Sequence, residues 1–430
     1  MVDECVILAD GPGALVRLCG ISILERLLRI LQRCGIKRAI ILSSNADVIG
    51  REVSRPSWAR AQIDVTVRNR ESGIVTVNQI VNVWPMSGQA LLVVRGDTIF
   101  DIRLLRLLST QSSTTALVDS AVPSELQSLV VSVPDTSRGK FCGASLVQYE
   151  WALAQGGSFD EVVANGLDQR TVAVLDVAKQ PLYYLELRRE IRPFWFCAPI
   201  PEDKKAAEHV LLRSIQKGTQ DIPALVHAPI ENFLISHLCQ TSITPNQLTI
   251  FCNILGWITT ILLAMGHLWL GIALALIVGV LDGLDGKQAR MKVETSTSGK
   301  LEHWFDAFFE WSWWIAIAYH LQISGQLSGA FRYLFLLLLA EAVDGIAKGS
   351  VYFTYGKLID ELGPFERIVR LVGGRRNIYV WILAAGLVFG APGKAFIAMA
   401  SLEAATAAVH LPRAAWAVWM RKRRVRANVL

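Results

Sequence analysis

Apolar positions along the chain follow two regimes that meet near residue 246. Up to about residue 210, short apolar runs alternate with helical patterns: CVILA, the amphipathic SILERLLRILQRCG, RAIILSS, then ALLVV and IRLLRLL. Parallel strands need helical crossovers, so this alternation predicts an α/β domain with a mainly parallel sheet. Residues 202–243 read as amphipathic helices with polar breaks, ending at the helix-stop sequence ITPN. From Leu248 onward the apolar runs approach bilayer length: 248–266, 268–283, 305–323, 330–347, 379–392 and 395–420. Six spans are predicted, forming an all-α bundle.

Composition and charge sharpen this division. Of 430 residues, 52% are hydrophobic, 19% are charged and 13 are tryptophan, which excludes a disordered chain because so much apolar surface must be buried in a core or in lipid. Before residue 246 there are 25 Lys/Arg against 25 Asp/Glu, and after it 18 against 12, so the net charge of +6 belongs to the apolar half. A basic excess within an apolar segment points to membrane topology and away from nucleic acid. Lys287, Arg290, Lys292 and Lys300 follow the second span, Lys357, Arg367, Arg370, Arg375 and Arg376 the fourth, and RKRRVR forms the tail. Alternate turns hold only His267, an uncharged SGQLSG and Lys394, so both termini are expected in the cytoplasm of a multi-pass inner-membrane protein. The opening MVDECVILAD lacks the basic start and cleavage site of a secretory signal. Seven scattered cysteines with no CxxC pair fit a reduced compartment. The expected domains are 1–213 (α/β, cytoplasmic), 214–246 (juxtamembrane connector), 247–420 (membrane domain) and 421–430 (basic tail).

Carboxylates are the most informative residues of the membrane half. Asp282 and Asp285 stand at i and i+3 on one helix face, at the cytoplasmic end of the second span. Glu302, Asp306 and Glu310 form an i, i+4, i+8 row where the third span begins. Intramembrane carboxylates are costly and tend to mark sites. Two such rows facing each other would make an oxygen cage suited to Mg2+ or Mn2+. Glu341, Asp344 and Lys348 share a face of the fourth span, where a buried Asp344/Lys348 pair explains them without catalysis.

The stretch DGLDGKQAR, followed by a glycine and spaced acids, resembles the CDP-alcohol phosphatidyltransferase signature D-x-x-D-G-x-x-A-R-x8-G-x3-D-x3-D. Asp282, Asp285, Gly286, Ala289 and Arg290 match its first half. Counting from Gly299, the last two acids would fall on His303 and Ala307; a shift of one residue restores the spacing, with Glu302 and Asp306 in their places. TPNQLT (244–249) and KGTQDIPALVHAPIEN (217–232) extend the similarity, which covers roughly residues 215–420. The resemblance implies transfer of a substituted phosphate from a CDP-linked donor, CDP-diacylglycerol or a CDP-polyol, to an alcohol or polyol-phosphate acceptor, with release of CMP. It implies that Asp282, Asp285, Glu302 and Asp306 hold the metal and that Asp306 takes the proton of the attacking hydroxyl, with His303 as a candidate to share that role. Gly286, Ala289 and Arg290 would bind the donor, Arg375 and Arg376 an anionic group of acceptor or donor lipid, and a homodimer is expected. Transmembrane helix packing and positive-inside anchoring are the competing explanations of the small residues and of the two arginines.

The N-terminal half resembles sugar-nucleotidyltransferases. VILADGPGALVRLCGISILERLLRIL is similar to that family's opening strand, glycine loop and helix, NRESGIVTVNQIV to its nucleotide pocket, and LLVVRGDTIFD to its metal segment with Asp97 at the metal position. The layout of the two halves is similar to the bifunctional inositol-phosphate cytidylyltransferase and di-inositol phosphate phosphate synthase family. Leu15 stands where that family has a loop arginine, Gly13 near its lysine, and Pro199 near its second metal aspartate. Triphosphate chemistry needs those charges, so Asp97 is expected to be a vestige in a degenerate domain. Arg17 as a substitute cation keeps open a bifunctional enzyme that makes its own donor. Six spans with internal acids also fit a transporter or a non-catalytic scaffold, although carrier sites usually lie near the midplane.

Overall fold

The computed structural model describes residues 2–84, 90–130, 134–294 and 299–427, with the backbone alone for 299–307, 422 and 424–427. The chain forms two compact units. One comprises Met1–Lys217, Leu238–Ser242 and Ala289–Ser296; the other comprises Gly218–His237, Ile243–Gln288 and Thr297–Leu430.

Seven strands of the first unit form the main path of an eight-stranded sheet: β1 (Glu4–Leu8), β2 (Arg38–Ser43), β3 (Asp64–Asn69), β4 (Ala90–Arg95), β5 (Thr115–Asp119), β6 (Gly139–Gln148) and β7 (Ala173–Asp176). Their order is β7-β5-β6-β4-β1-β2-β3. The β1–β2, β1–β4, β2–β3 and β5–β7 pairs are parallel, and β6 runs antiparallel to both its neighbours. The expected mainly parallel sheet is therefore present, with one reversed strand. Every residue of β1 is buried, as befits a central strand covered on both faces. Burying Val6, Ile7 and Leu8 contributes about 1.5–3 kcal/mol per side chain. The first crossover is helix α1 (Ile23–Arg33), whose Ser22 cap accepts a hydrogen bond from the Glu25 amide at 3.2 Å. All seven cysteines are buried thiols outside any disulfide, five of them in this unit before residue 200.

Helices dominate the second unit: α2 (Ala224–Leu238), α3 (Pro245–Ala264), α4 (Leu268–Met291), α5 (Gly299–Ile323), α6 (Ala330–Tyr355), α7 (Pro364–Val372), α8 (Arg376–Val388) and α9 (Pro392–Ala427). The start of α3 is a capping box. Thr244 Oγ1 accepts from the Gln247 amide at 3.3 Å, Gln247 Oε1 accepts from the Thr244 amide at 3.0 Å, and Pro245 takes the first helical position, where no amide donor is needed. It ends at Ala264, and Gly266 at φ 83° turns the chain: the Gly266 and His267 amides bond back to Leu263 and Leu262, and the three residues Met265, Gly266 and His267 lead into α4.

Ile250, Phe251, Ile254, Trp257 and Ile261 on one side of α3 are exposed, while Cys252 and Leu263 on the other side pack in the helical core with Phe309, Trp313, Trp314, Tyr379 and Phe396. Helices that are apolar all round suit a lipid surround. Among the described residues, three helices are long and apolar enough to cross a membrane: Pro245–Ala264, Leu268–Met291 and Pro392–Arg421. Helix α6 has the length, but Glu341, Asp344 and Lys348 interrupt its apolar stretch, and α8 is a shorter apolar helix. The basic segment that follows the fourth span builds α7, a turn at Gly373–Gly374 and then the start of α8 at Arg376.

Candidate active site

The site residues of the helical half gather at the end of α4. Asp285 is 7% exposed and its Oδ2 accepts from Thr249 Oγ1 of α3 at 2.8 Å, which fixes the orientation of that carboxylate. Asp282, one turn earlier, is a third exposed in its side chain and meets the Arg376 guanidinium at 2.5 Å. Gly283, between them, lies directly beneath Glu231 of α2; a side chain there would collide with the Glu231 carboxylate. Glu231 in turn pairs with the buried Lys287 at 2.9 Å, and Lys287 also donates to Asn232 at 2.7 Å. Together these bonds seat α2 against α4.

Of the paired arginines, Arg376 reaches an aspartate of the signature, Asp282. It also stands over the Phe309 ring, 5.4 Å from its centroid. Arg375 turns to the segment before α2, donating to the Gln220 carbonyl at 3.3 Å and lying 3.8 Å from Asp221. Gly286 follows Asp285 on α4, and Ala289 and Arg290 belong to its last turn. Arg290 donates from Nε to the Ile215 carbonyl at 2.8 Å. The side chains of Glu302, His303 and Asp306 lie outside the described residues, as does that of Lys300; α5 carries their backbone. Among the described residues, no three His, Cys, Asp or Glu side chains converge on a metal position.

In the α/β unit, Asp97 follows β4 and is gripped by Arg95, which donates from Nε to Oδ1 at 3.1 Å and from Nη2 to Oδ2 at 3.0 Å, while Thr98 adds a bond to Oδ1 at 3.2 Å. Arg95 also lies 3.8 Å from Asp160, so one guanidinium stands between two carboxylates. Burial raises the Asp160 carboxyl, Arg95 opposes this, and Asp97 adds to it. Gly13 sits so close to Asp97 that an added Cβ would fall 2.9 Å from the Asp97 Cβ. Asp10, beside the glycine loop, is bound by Arg70 and by the Ser44 amide at 2.9 Å. Sequence reasoning missed Arg95 and Arg70 as acid partners. Arg95 could have been found two residues before Asp97, whereas Arg70 is 60 residues from Asp10.

Residues 242–356 match the model of the CDP-alcohol phosphatidyltransferase family. The helical half carries a CDP-alcohol phosphatidyltransferase domain. Asp282, Asp285, Gly286, Ala289 and Arg290 all lie within the matched region, as does Thr249, and Arg376 lies outside it. Three curated relatives are named "Bifunctional IPC transferase and DIPP synthase". The protein of Rubrobacter xylanophilus is 27% identical over 50% of this chain and 47% of its own length. That of Aquifex aeolicus is 24% identical over 75% of this chain and 79% of its own, and that of Thermococcus kodakarensis is 30% identical over 29% of each. The chain thus spans about half the length of the Rubrobacter relative in that match. Similar solved structures include HddC from Yersinia pseudotuberculosis complexed with GMP-PN, 17% identical over 49% of this chain and 99% of that one at a TM-score of 0.36. Another is the inositol-1-phosphate CTP transferase from T. maritima, 13% identical over 48% of this chain and 95% of that one at a TM-score of 0.34.

The match is to a family of transferases, and among its described residues this half carries three helices long and apolar enough to cross a membrane. The expected Asp344/Lys348 pair is present on α6, and His410 of α9 joins it through an Nδ1 bond to Asp344 at 2.5 Å. Glu341 instead accepts from Trp311 Nε1 at 2.9 Å.

Proposed function

We propose that this chain is a multi-pass inner-membrane enzyme that moves a substituted phosphate from a CDP-linked donor to an alcohol and releases CMP. The observation that carries this reading is the aspartate pair of the matched region: Asp285 held by Thr249, and Asp282, one turn away, beside Arg376. Two carboxylates on one helix face are hard oxygen donors of the kind that suits Mg2+ or Mn2+, and Glu302 and Asp306 would add two more of the same chemistry. Asp282, Asp285, Glu302 and Asp306 would hold that ion, and when bound it supplies neutralising charge at the donor pyrophosphate.

The chain's own residues account for the remaining steps. Thr249 keeps Asp285 in one orientation, Arg376 brings a forked donor to the anionic substrate, and Gly286 and Ala289 leave room for the nucleotide. Asp306, with His303 beside it in sequence, receives the proton as the acceptor oxygen bonds to phosphorus and the bond to CMP breaks. Arg290 would steady a donor phosphate and Arg375 an anionic lipid or acceptor. Six spans with both termini in the cytoplasm, a homodimer, and the boundaries 1–213, 214–246, 247–420 and 421–430 complete this reading.

In the α/β unit, Arg95 bonded to Asp97 supports a domain that no longer makes the CDP donor. A second reading, a bifunctional enzyme, draws support from the names of the relatives and from the Aquifex match, which runs over 75% of the chain. The deciding experiment is CMP release by the protein in lipid nanodiscs with Mg2+, comparing CDP-diacylglycerol with CDP-inositol over polyol and polyol-phosphate acceptors. Acceptor-dependent CMP is expected and should vanish in Asp306→Asn. Undiminished release in that variant would overturn the site. CTP-dependent pyrophosphate release lost on Asp97→Asn would establish the bifunctional reading.

A further inference from the structure

The turn that delivers Arg375 and Arg376 rests on a polar node in the interior of the bundle. Glu403 of α9 and Tyr379 of α8 are each 1% exposed, and the tyrosine hydroxyl donates to Glu403 Oε2. Thr406, one turn beyond Glu403, accepts from the Gly374 amide at 2.8 Å. Gly374 is so tightly seated that a methyl group there would strike both Glu403 Oε2 and the Tyr379 hydroxyl. Trp314 closes the node edge-on, 5.5 Å from Tyr379 between ring centroids. The link to the reaction site is short: the Tyr379 amide bonds to the Arg375 carbonyl at 3.0 Å, and Arg376 reaches Asp282.

A carboxylate inside a membrane helix is costly, and a leucine at 403 would pack without that cost. What Glu403 and Thr406 add is directional bonding, to a tyrosine three residues beyond Arg376 and to the amide two residues before it. We propose that Tyr379, Glu403 and Thr406 are positioning residues that clamp the Gly373–Gly374 turn from both ends and thereby aim Arg376 at Asp282 and the substrate phosphate. The clamp rests on the reading of the helical half as a CDP-alcohol phosphotransferase for its effect on catalysis, though not for its effect on where Arg376 points.

The test uses the full chain in nanodiscs and two readouts. In steady-state CMP release, Tyr379→Phe should raise KM for the CDP donor about tenfold with kcat changed less than about threefold, the scale of one lost bond near a charged group. Glu403→Gln, which keeps an acceptor for the tyrosine, should restore most of what Glu403→Ala loses. In an Arg376→Ala background, Tyr379→Phe should add less than about twofold, because both changes act through one guanidinium. The second readout needs no turnover: Asp282→Cys with Arg376→Cys should cross-link rapidly, and about tenfold more slowly when Tyr379→Phe is added. Additive effects with Arg376→Ala, or a lowered melting temperature with unchanged KM and cross-linking, would overturn the clamp and leave only a packing role. Absence of CMP release from the wild-type protein would sink the functional reading, while the cross-linking rates would still decide the clamp. Should Tyr379→Phe fail to insert, Thr406→Val removes the acceptor of the Gly374 amide and carries the same expectations.

Discussion

Asp97 and Asp285 each stand next to a glycine in sequence, both are expected at metal positions, and their surroundings differ. Asp97 is held on both oxygens by Arg95, with Thr98 on one of them, and a glycine packed against its Cβ. Asp285 shows bonds from a neutral hydroxyl and from its neighbouring amide, and its companion Asp282 is a third exposed. A guanidinium between Asp97 and Asp160 supplies internally the positive charge that a divalent ion would bring, whereas the Thr249 hydroxyl orients the Asp285 carboxylate. Asp97 therefore reads as a structural ion pair, whereas Asp285 and Asp282, the latter sharing the Arg376 guanidinium, read as candidate ligands.

The largest expected effect tests the helical side of this contrast. Asp282→Asn should lower CMP release by about a hundredfold or more, the scale of lost electrostatic stabilisation at a phosphoryl centre, with membrane insertion intact by size-exclusion profile. Retained activity would break the comparison. Thr249→Val should cost about tenfold in kcat/KM, since Asp285 keeps its charge and loses only its orienting bond; an effect as large as that of Asp285→Asn would mean that the hydroxyl itself touches substrate. On the α/β side, Asp97→Asn should leave CMP release from a supplied CDP donor within about twofold of wild type, because the pair it breaks belongs to the other unit's fold. A loss of tenfold or more in that assay would show that the two aspartates serve one reaction.

The smallest effect concerns stability. Burial pulls the Glu25 carboxyl upward, but the hydrogen bond and charge of Arg29, the Ser57 hydroxyl and Arg60 together hold it below the usual carboxylate range. A depressed carboxylate contributes stability that is present above its unfolded value, near pH 4.3, and is lost as pH falls through its folded value. Glu25→Gln should therefore lower the melting temperature of the α/β unit by a few degrees, about 1 kcal/mol, at pH 7 and by much less at pH 3. Equal losses at both values would indicate packing instead of charge.

Much of this molecule was legible from residue order. The apolar runs at 6–8, 39–42 and 91–94 are strands of a mainly parallel sheet because their periodicity and the helical patterns between them are local properties. The start of α3 at TPNQ and the turn after it at Gly266 were equally local, set by a cap and a left-handed glycine. The aspartate pair was found because i, i+3 spacing guarantees a common helix face. Arg375 and Arg376, adjacent and chemically alike, could not be told apart: only helix packing sends one to Asp282 and the other to Gln220. Glu403, Thr406, His410 and Arg413 recur at helical spacing along α9, and their partners Tyr379, Gly374, Asp344 and Glu366 lie 24 to 66 positions away.

By itself, then, the sequence determined the two regimes of the chain, the strand and helix pattern, and the pair Asp282/Asp285, since each depends on neighbours within a few residues. Tertiary structure alone decided which acids are spent on internal cations. Whether an aspartate is free to meet a ligand depends on the guanidiniums and hydroxyls that folding brings to it: Arg95 and Asp160 at Asp97, Thr249 at Asp285, Arg376 at Asp282. Side-chain hydrogen bonds act over about 3 Å, and no spacing rule in one dimension carries that distance across 36 or 94 residues of chain.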